Sequence, residues 1–156
     1  MSHAFSPFKW GLFGFMCLFL AGLAACSVHK EPVGPAPMDD AQLISILAGR
    51  LWVAESIHGR PVIDMSHTAM VFTTNGVVNG SGGCNAFTGN YALENGVITF
   101  PPLAVTMKMC APALNTQEAA FIQSLKEPQK VSFSRGLLLF TPDNGAPSVF
   151  AVQNLE

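Results

Sequence analysis

Two cysteines, Cys84 and Cys110, carry the most reactive side chains of the predicted folded domain. In an exported protein, an even pair of cysteines favours a disulfide bond. This bond would close a loop of about 26 residues and stabilise the domain by about 3 kcal/mol. Two buried free thiols are the main alternative. A reactive thiol or a metal site is less favoured, because no histidine lies near either cysteine in the sequence and no Cys-x-x-Cys motif occurs.

Hydrolytic catalysis has candidate residue types but no recognisable arrangement. Ser81, His67, Asp64 and Glu118 are the side chains that a catalytic triad uses. Ser81, however, lies among glycines without the strand, turn and helix of a nucleophile elbow. No phosphate-binding loop, dinucleotide-binding glycine motif or zinc-protease motif occurs either. We therefore name no catalytic residue, and we expect a non-enzymatic protein without a metal or another cofactor.

The charge of the chain argues against nucleic acid as a partner. Only 12% of its 156 residues are charged, and the formal net charge is −2 at pH 7. A nucleic-acid-binding surface needs clustered basic residues, and the sequence contains no such cluster.

The first 25 residues have the pattern of a secretory signal peptide. Lys9 precedes an apolar run over residues 10–23, and small residues follow. A transmembrane helix is the alternative, but a bilayer crossing needs about 20 apolar residues and this run is shorter. Cys17 lies inside the apolar run and would be removed with the signal peptide.

The end of this segment, Leu23-Ala24-Ala25-Cys26, resembles the bacterial lipobox. The resemblance implies that Cys26 is acylated, becomes the first residue of the mature chain and carries three acyl chains. Several chains anchor a protein stably in a membrane, whereas a single chain does not. Residue 27 is Ser and not Asp, which implies sorting to the outer membrane, with the domain facing the periplasm.

Residues 26–39 form a predicted tether between the anchor and the folded domain. This stretch contains three prolines and a glycine, and proline-rich segments favour extended conformations. A short helix is predicted next, capped by Asp39 or Asp40. A strand over Leu51–Ile57 follows, and Asn75-Gly76 is a strong signal for a β-hairpin.

The rest of the chain predicts short strands and one main helix. Apolar and polar residues alternate over residues 86–93, and residues 103–109 form a further extended segment. Asn115 and Glu118 have the spacing of a capping box, which predicts that the main helix begins there. Three further strands are predicted after this helix, at the end of the chain. The prediction is an α+β fold that is mainly β.

The centre of the chain, residues 80–91, resembles the META domain of the HslJ-like family of bacterial lipoproteins. Residues 106–110 and the helix match the same family, and the resemblance extends over most of residues 42–152. It implies a domain over residues 40–156, with a small antiparallel sheet rolled into an open barrel and packed on one main helix. The residues that carry the motif are Gly82, Gly83, Asn85, Phe87, Gly89 and Tyr91.

Methionine and phenylalanine side chains are candidates for an apolar binding surface. Met107, Met109, Phe72 and Phe100 are the candidates for contact with an apolar ligand or a partner. Ordinary core packing is the alternative for each of them. We expect Met107 and Met109 to share one face, since they alternate with Lys108.

The predicted protein is a monomeric outer-membrane lipoprotein whose domain contributes to envelope integrity or to tolerance of stress and antibiotics. The resemblance links the family to heat shock and to resistance to novobiocin, without a settled activity. Contact with an envelope protein is the first hypothesis. The alternative is a binding module that holds an acyl chain or another apolar molecule inside the rolled sheet.

Overall fold

A computed structural model describes residues 38–153 of the chain. The helices are α1 (Asp40–Leu47) and α2 (Pro112–Ser124). The strands, in chain order, are β1 (Leu51–Ile57), β2 (Arg60–Pro61), β3 (Ala69–Phe72), β4 (Val77–Ser81), β5 (Ala86–Asn90), β6 (Ala92–Glu94), β7 (Val97–Thr99), β8 (Ala104–Val105), β9 (Gln129–Ser134), β10 (Leu137–Pro142) and β11 (Ser148–Gln153). The predicted signal peptide, Cys26 and most of the tether lie outside the described residues.

The strands form one sheet whose two ends belong to neighbouring parts of the chain. Its strand order is β6-β7-β9-β10-β11-β1-β3-β4-β5-β8, with β2 paired to β1, and the paired strands are antiparallel. Strands β5 and β6 lie towards opposite ends of this order, yet Tyr91 alone separates them in sequence. The sheet must therefore curve until its ends approach each other. The resulting half-barrel confirms the predicted mainly-β α+β fold.

Helix α1 begins with a capping box and contacts the sheet on one side. Asp39 accepts a hydrogen bond from the Gln42 backbone N–H at 2.8 Å, and Gln42 accepts one from the Asp39 N–H at 3.1 Å. Leu43 and Leu47 are buried. Asp40 accepts two backbone N–H bonds from the β6–β7 turn. Capping and burial together hold this short helix in place.

Buried aromatic side chains fill the inside of the curved sheet. Phe72, Phe121 and Phe150 are fully buried. The ring of Phe121, from α2, lies 5.9 Å from that of Phe87 and 6.4 Å from that of Phe150. Phe140 continues the cluster, with its ring 5.3 Å from that of Phe150. These contacts pack α2 against strands from both halves of the sheet.

Two predictions about local structure are wrong. The extended segment over residues 103–109 contains a strand only at Ala104–Val105. Helix α2 begins at Pro112, one turn earlier than predicted, because proline is well suited to a first helical position. Asn115 bonds instead to the backbone N–H and C=O of Cys110.

Within residues 38–153, neither helix has the length and apolar character that crossing a membrane requires.

Candidate functional site

The hairpin loop between β4 and β5, residues 82–85, is the structural centre of the motif found in the sequence. Gly82 donates its N–H to the Asn85 carbonyl at 2.8 Å, which closes the loop. Gly83 has a φ of +117°, a conformation that side chains rarely tolerate. A Cβ atom at Gly82 would lie 2.6 Å from Cγ of Glu118, so glycine is required there by close packing.

Glu118 reaches from α2 into this loop and accepts three hydrogen bonds. Oε2 accepts the backbone N–H groups of Cys84 at 3.0 Å and Asn85 at 2.5 Å. Oε1 accepts the side-chain amide of Asn85 at 2.6 Å. The carboxyl group is buried, and no lysine or arginine of the described chain pairs with it. Three donors facing one carboxyl group match the acceptor-only carboxylate form.

Asn85 connects Glu118 to the segment after β8. Its Oδ1 accepts bonds from the Thr106 hydroxyl at 2.9 Å and the Lys108 N–H at 2.6 Å. Its Nδ2 donates to Glu118 and to the Lys108 carbonyl at 3.3 Å. An asparagine side chain has two donors and two acceptor positions, so its capacity is fully used. The side chain therefore works as a structural clamp.

A disulfide bond fixes the other end of the same segment. Cys84 and Cys110 are bonded, with their Cα atoms 6.0 Å apart and a sequence separation of 26. The segment 106–110 is thus held at Lys108 by Asn85 and at Cys110 by covalent bonding. Its backbone is held in place although none of it is part of a strand.

The other motif residues support the same scaffold. Phe87 and Tyr91 are buried, and the Tyr91 hydroxyl donates to the Thr73 carbonyl at 2.7 Å. Burial raises the pKa of Tyr91 above its usual value of 10.0. A Cβ atom at Gly89 would lie 2.5 Å from the Leu103 side chain. Each of these residues therefore has a packing role.

The residue types of a triad do not form one here. Ser81 accepts a bond from the Gly83 N–H, and Glu118 is bonded to the loop. Among the described residues, no hydrogen bond joins Ser81 to His67, Asp64 or Glu118. The same part of the chain contains no group of His, Cys, Asp and Glu arranged for a metal ion. The polar groups of the motif bond to one another, which is suited to holding a loop.

The four candidates for an apolar surface separate into two groups. Met107 and Met109 are 97% and 94% exposed, on the segment that Asn85 and the disulfide hold. Phe72 is fully buried, and Phe100 is 9% exposed at the edge of a groove of about 290 Å³. The prediction of one surface containing all four is corrected, because Phe72, in β3, and Phe100, directly after β7, both pack into the core with their rings 6.3 Å apart.

Sequence reasoning missed the partner of Glu118 and the role of Gln117. Gln117 accepts the Ile63 N–H at 2.6 Å and donates to the Thr68 hydroxyl at 3.1 Å. Thr68 in turn donates to the Gly82 carbonyl at 3.0 Å. Two glycines beside Cys84 were a usable signal, since they indicate that another chain segment packs closely there.

Comparisons with known proteins agree with this geometry. A family model described as the META domain matches residues 45–154. The chain belongs to the META-domain family. The matched region contains the loop, the disulfide and the helix described above. The predicted domain over residues 40–156 begins and ends within a few residues of the matched region.

Individual proteins and solved structures extend the comparison. The heat shock protein HslJ of Escherichia coli (strain K12) is 36% identical over 89 residues, which are 56% of this chain and 63% of HslJ. An NMR structure with 30% identity has a TM-score of 0.59 and covers 70% of this chain and 93% of its own. A second NMR structure, from Burkholderia xenovorans, has 24% identity and a TM-score of 0.60, with coverages of 80% and 95%. The second structure supports the fold alone.

Replacing Glu118 with Gln is expected to destabilise the domain by about 2 kcal/mol. The new amide has one acceptor oxygen, so its NH₂ group would face a donor that Glu118 now accepts. The matched control is Glu127→Gln, because Glu127 is exposed and its side chain has no hydrogen bond within residues 38–153. Urea unfolding would measure both variants. Equal stability of the two variants would contradict the role assigned to Glu118.

Proposed function

We propose that this chain is an outer-membrane-anchored periplasmic lipoprotein without enzymatic activity. Its META domain contributes to envelope integrity or to tolerance of stress and antibiotics by contacting an envelope partner. The observation that carries the proposal is the exposure of two methionines on a fixed backbone segment. The following paragraphs give the support for contact, for the anchor and for the absence of catalysis.

Met107 and Met109 form the proposed contact surface, called here the methionine segment. Two exposed methionines only two positions apart offer a small apolar patch, and methionine adapts well to different partners. Asn85 and the disulfide hold the backbone of this segment before any partner arrives. Binding then requires little ordering of the backbone, which favours affinity. The partner is an envelope component with an apolar surface.

The anchor is supported by the sequence around Cys26. Acylation there would fix the chain to the outer membrane, and the tether of residues 26–39 would separate the domain from it. An extended tether of this length spans about 45 Å. The domain would therefore reach partners well beyond the lipid head groups.

A non-enzymatic role is supported by the closed bonding of the motif. Asn85 uses all its donors and acceptors, and Glu118 is buried and accepts three hydrogen bonds from the loop. A general acid or base needs access to a substrate proton, which these side chains lack. The name of HslJ adds a link to heat shock, which we extend to this chain as part of the proposal.

The alternative of an acyl chain inside the rolled sheet receives no support from the described residues. Phe72, Phe121 and Phe150 occupy that space and are fully buried. A ligand there would have to displace well-packed aromatic side chains, which costs several kcal/mol. We therefore do not propose the interior as a binding site.

A double replacement, Met107→Gln with Met109→Gln, is expected to remove the contribution to envelope integrity. Uptake of a hydrophobic fluorescent dye by cells lacking the protein is the measurement. The wild-type chain should reduce dye uptake, whereas the double variant should leave dye uptake almost as high as in cells lacking the protein. Met65→Gln is the matched control, because Met65 is 87% exposed on a different segment.

Equal amounts of each variant in the membrane fraction must be verified by immunoblotting. Full reduction of dye uptake by the double variant would contradict the role of the methionine segment. If Met65→Gln no longer reduced dye uptake while the double variant still did, the contact surface would lie elsewhere.

Replacing Cys26 with Ala is expected to release the domain from the membrane without unfolding it. The acylated side chain is the proposed anchor, and the described core lies entirely downstream of it. Fractionation of cells into soluble and membrane material measures the effect, and Cys17→Ala is the control that should stay in the membrane. Retention of the Cys26→Ala variant in the membrane fraction would contradict the lipid anchor.

A further inference from the structure

A groove of about 550 Å³ lies between α2 and the β1–β2 hairpin. The loop between β10 and β11 contributes a third side. Its volume lies within the range of small-molecule sites. The apolar part of its lining consists of Ile57, Pro61, Ile63, Ala113, Ala120 and Ala146.

Hydrogen bonds fix the sides of the groove relative to each other. Gly59 donates its N–H to the Pro147 carbonyl at 3.0 Å, and the His58 N–H donates to the Ser148 hydroxyl at 3.1 Å. These bonds join the hairpin to the β10–β11 loop. The Gln117 side chain joins α2 to Ile63 at 2.6 Å. The groove therefore exists before a ligand binds, which lowers the cost of binding.

Among the polar side chains of the lining, only basic ones remain available to bind a ligand. Gln117 already bonds to Ile63 and Thr68. The Thr116 hydroxyl donates to the Pro112 carbonyl at 2.9 Å. The side chains of Arg60 and His58 have no hydrogen bond or ion pair within residues 38–153, and no Asp or Glu lines the groove. The remaining polar groups are thus a guanidinium and an imidazole.

We propose that this groove binds an amphiphile with a single alkyl chain and an anionic head group, of the fatty-acid class. The alkyl chain lies along the alanines of α2 and against Ile63. The carboxylate accepts hydrogen bonds from Arg60, with His58 beside it. This combination matches an apolar surface that has positive charge and no negative charge.

A peptide is a poorer match for the same groove. An extended peptide would bring backbone N–H and C=O groups against an apolar lining, where they would lose hydrogen bonds to water. An alkyl chain has no such groups. The inference is independent of the proposed partner contact, because the methionine segment does not line this groove.

The test uses residues 36–156, labelled with ¹⁵N and studied by NMR. The described core lies within this part, which forms one compact unit, and the solved relative at 30% identity consists almost wholly of the matched region. Decanoate is the probe, and decyltrimethylammonium is the control with the same chain length and a positive head group. Both are titrated below the concentration at which they form micelles. Decanoate should shift the amide signals of Ile63, Ala120 and Ala146 saturably, and the cationic control should not.

Two pairs of variants assign the site. Arg60→Gln is expected to weaken decanoate binding about tenfold, since a hydrogen bond to a charged group is lost. Arg135→Gln, on an exposed turn, is the control for the loss of charge. Ala120→Phe should block the groove, whereas Ala119→Phe, its exposed neighbour that does not line the groove, should not.

Several outcomes would overturn the proposal. Equal shifts from the cationic control, or equal binding by Arg60→Gln and Arg135→Gln, would exclude recognition of an anionic head group. Signals that shift at Leu103, Ile122 and Lys126 would place the ligand in the other groove. An absence of saturable shifts would exclude the ligand class. None of these results depends on Met107 or Met109, so they are distinguishable from failure of the partner contact.

Discussion

A buried carboxylate holds this structure together at the point where its sheet meets its main helix. Glu118 accepts three hydrogen bonds from the loop of residues 82–85. A buried carboxylate without these donors would be strongly unfavourable, so the loop and the helix must dock in one arrangement. Gly82 gives the side chain room to approach. Through Asn85, the same interaction extends to the segment that carries the exposed methionines.

The molecule separates its packing functions from its exposed surfaces. Polar groups of the motif form hydrogen bonds with one another, and aromatic residues fill the inside of the half-barrel. The two surfaces proposed for contact, the methionine segment and the groove beside α2, each lie on a backbone that is held by hydrogen bonds or by the disulfide. Such rigidity suits recognition, because less conformational freedom is lost on binding.

Local signals in the sequence predicted the fold well, and long-range contacts limited the prediction of the site. The Asn75-Gly76 turn and the strand at Leu51–Ile57 follow from turn chemistry and alternation over a few residues. Glu118 was assigned to a capping box, whereas its partners lie more than 30 positions away in sequence. Spacing alone does not reveal such a contact. The groove was also invisible, because three separate segments form it and the small alanines in its lining carry no recognisable pattern.

Hydrogen exchange of the Cys84 and Asn85 backbone amides tests the central role of Glu118 most directly. If the carboxylate holds the loop, both amides exchange only when the domain unfolds, at a rate close to that of the buried strand residue Phe87. The amides of Arg135 and Gly136, in an exposed turn, provide the fast reference. Exchange of Cys84 and Asn85 as fast as in that turn would show that the loop opens locally. That result would contradict the dependence of the structure on Glu118.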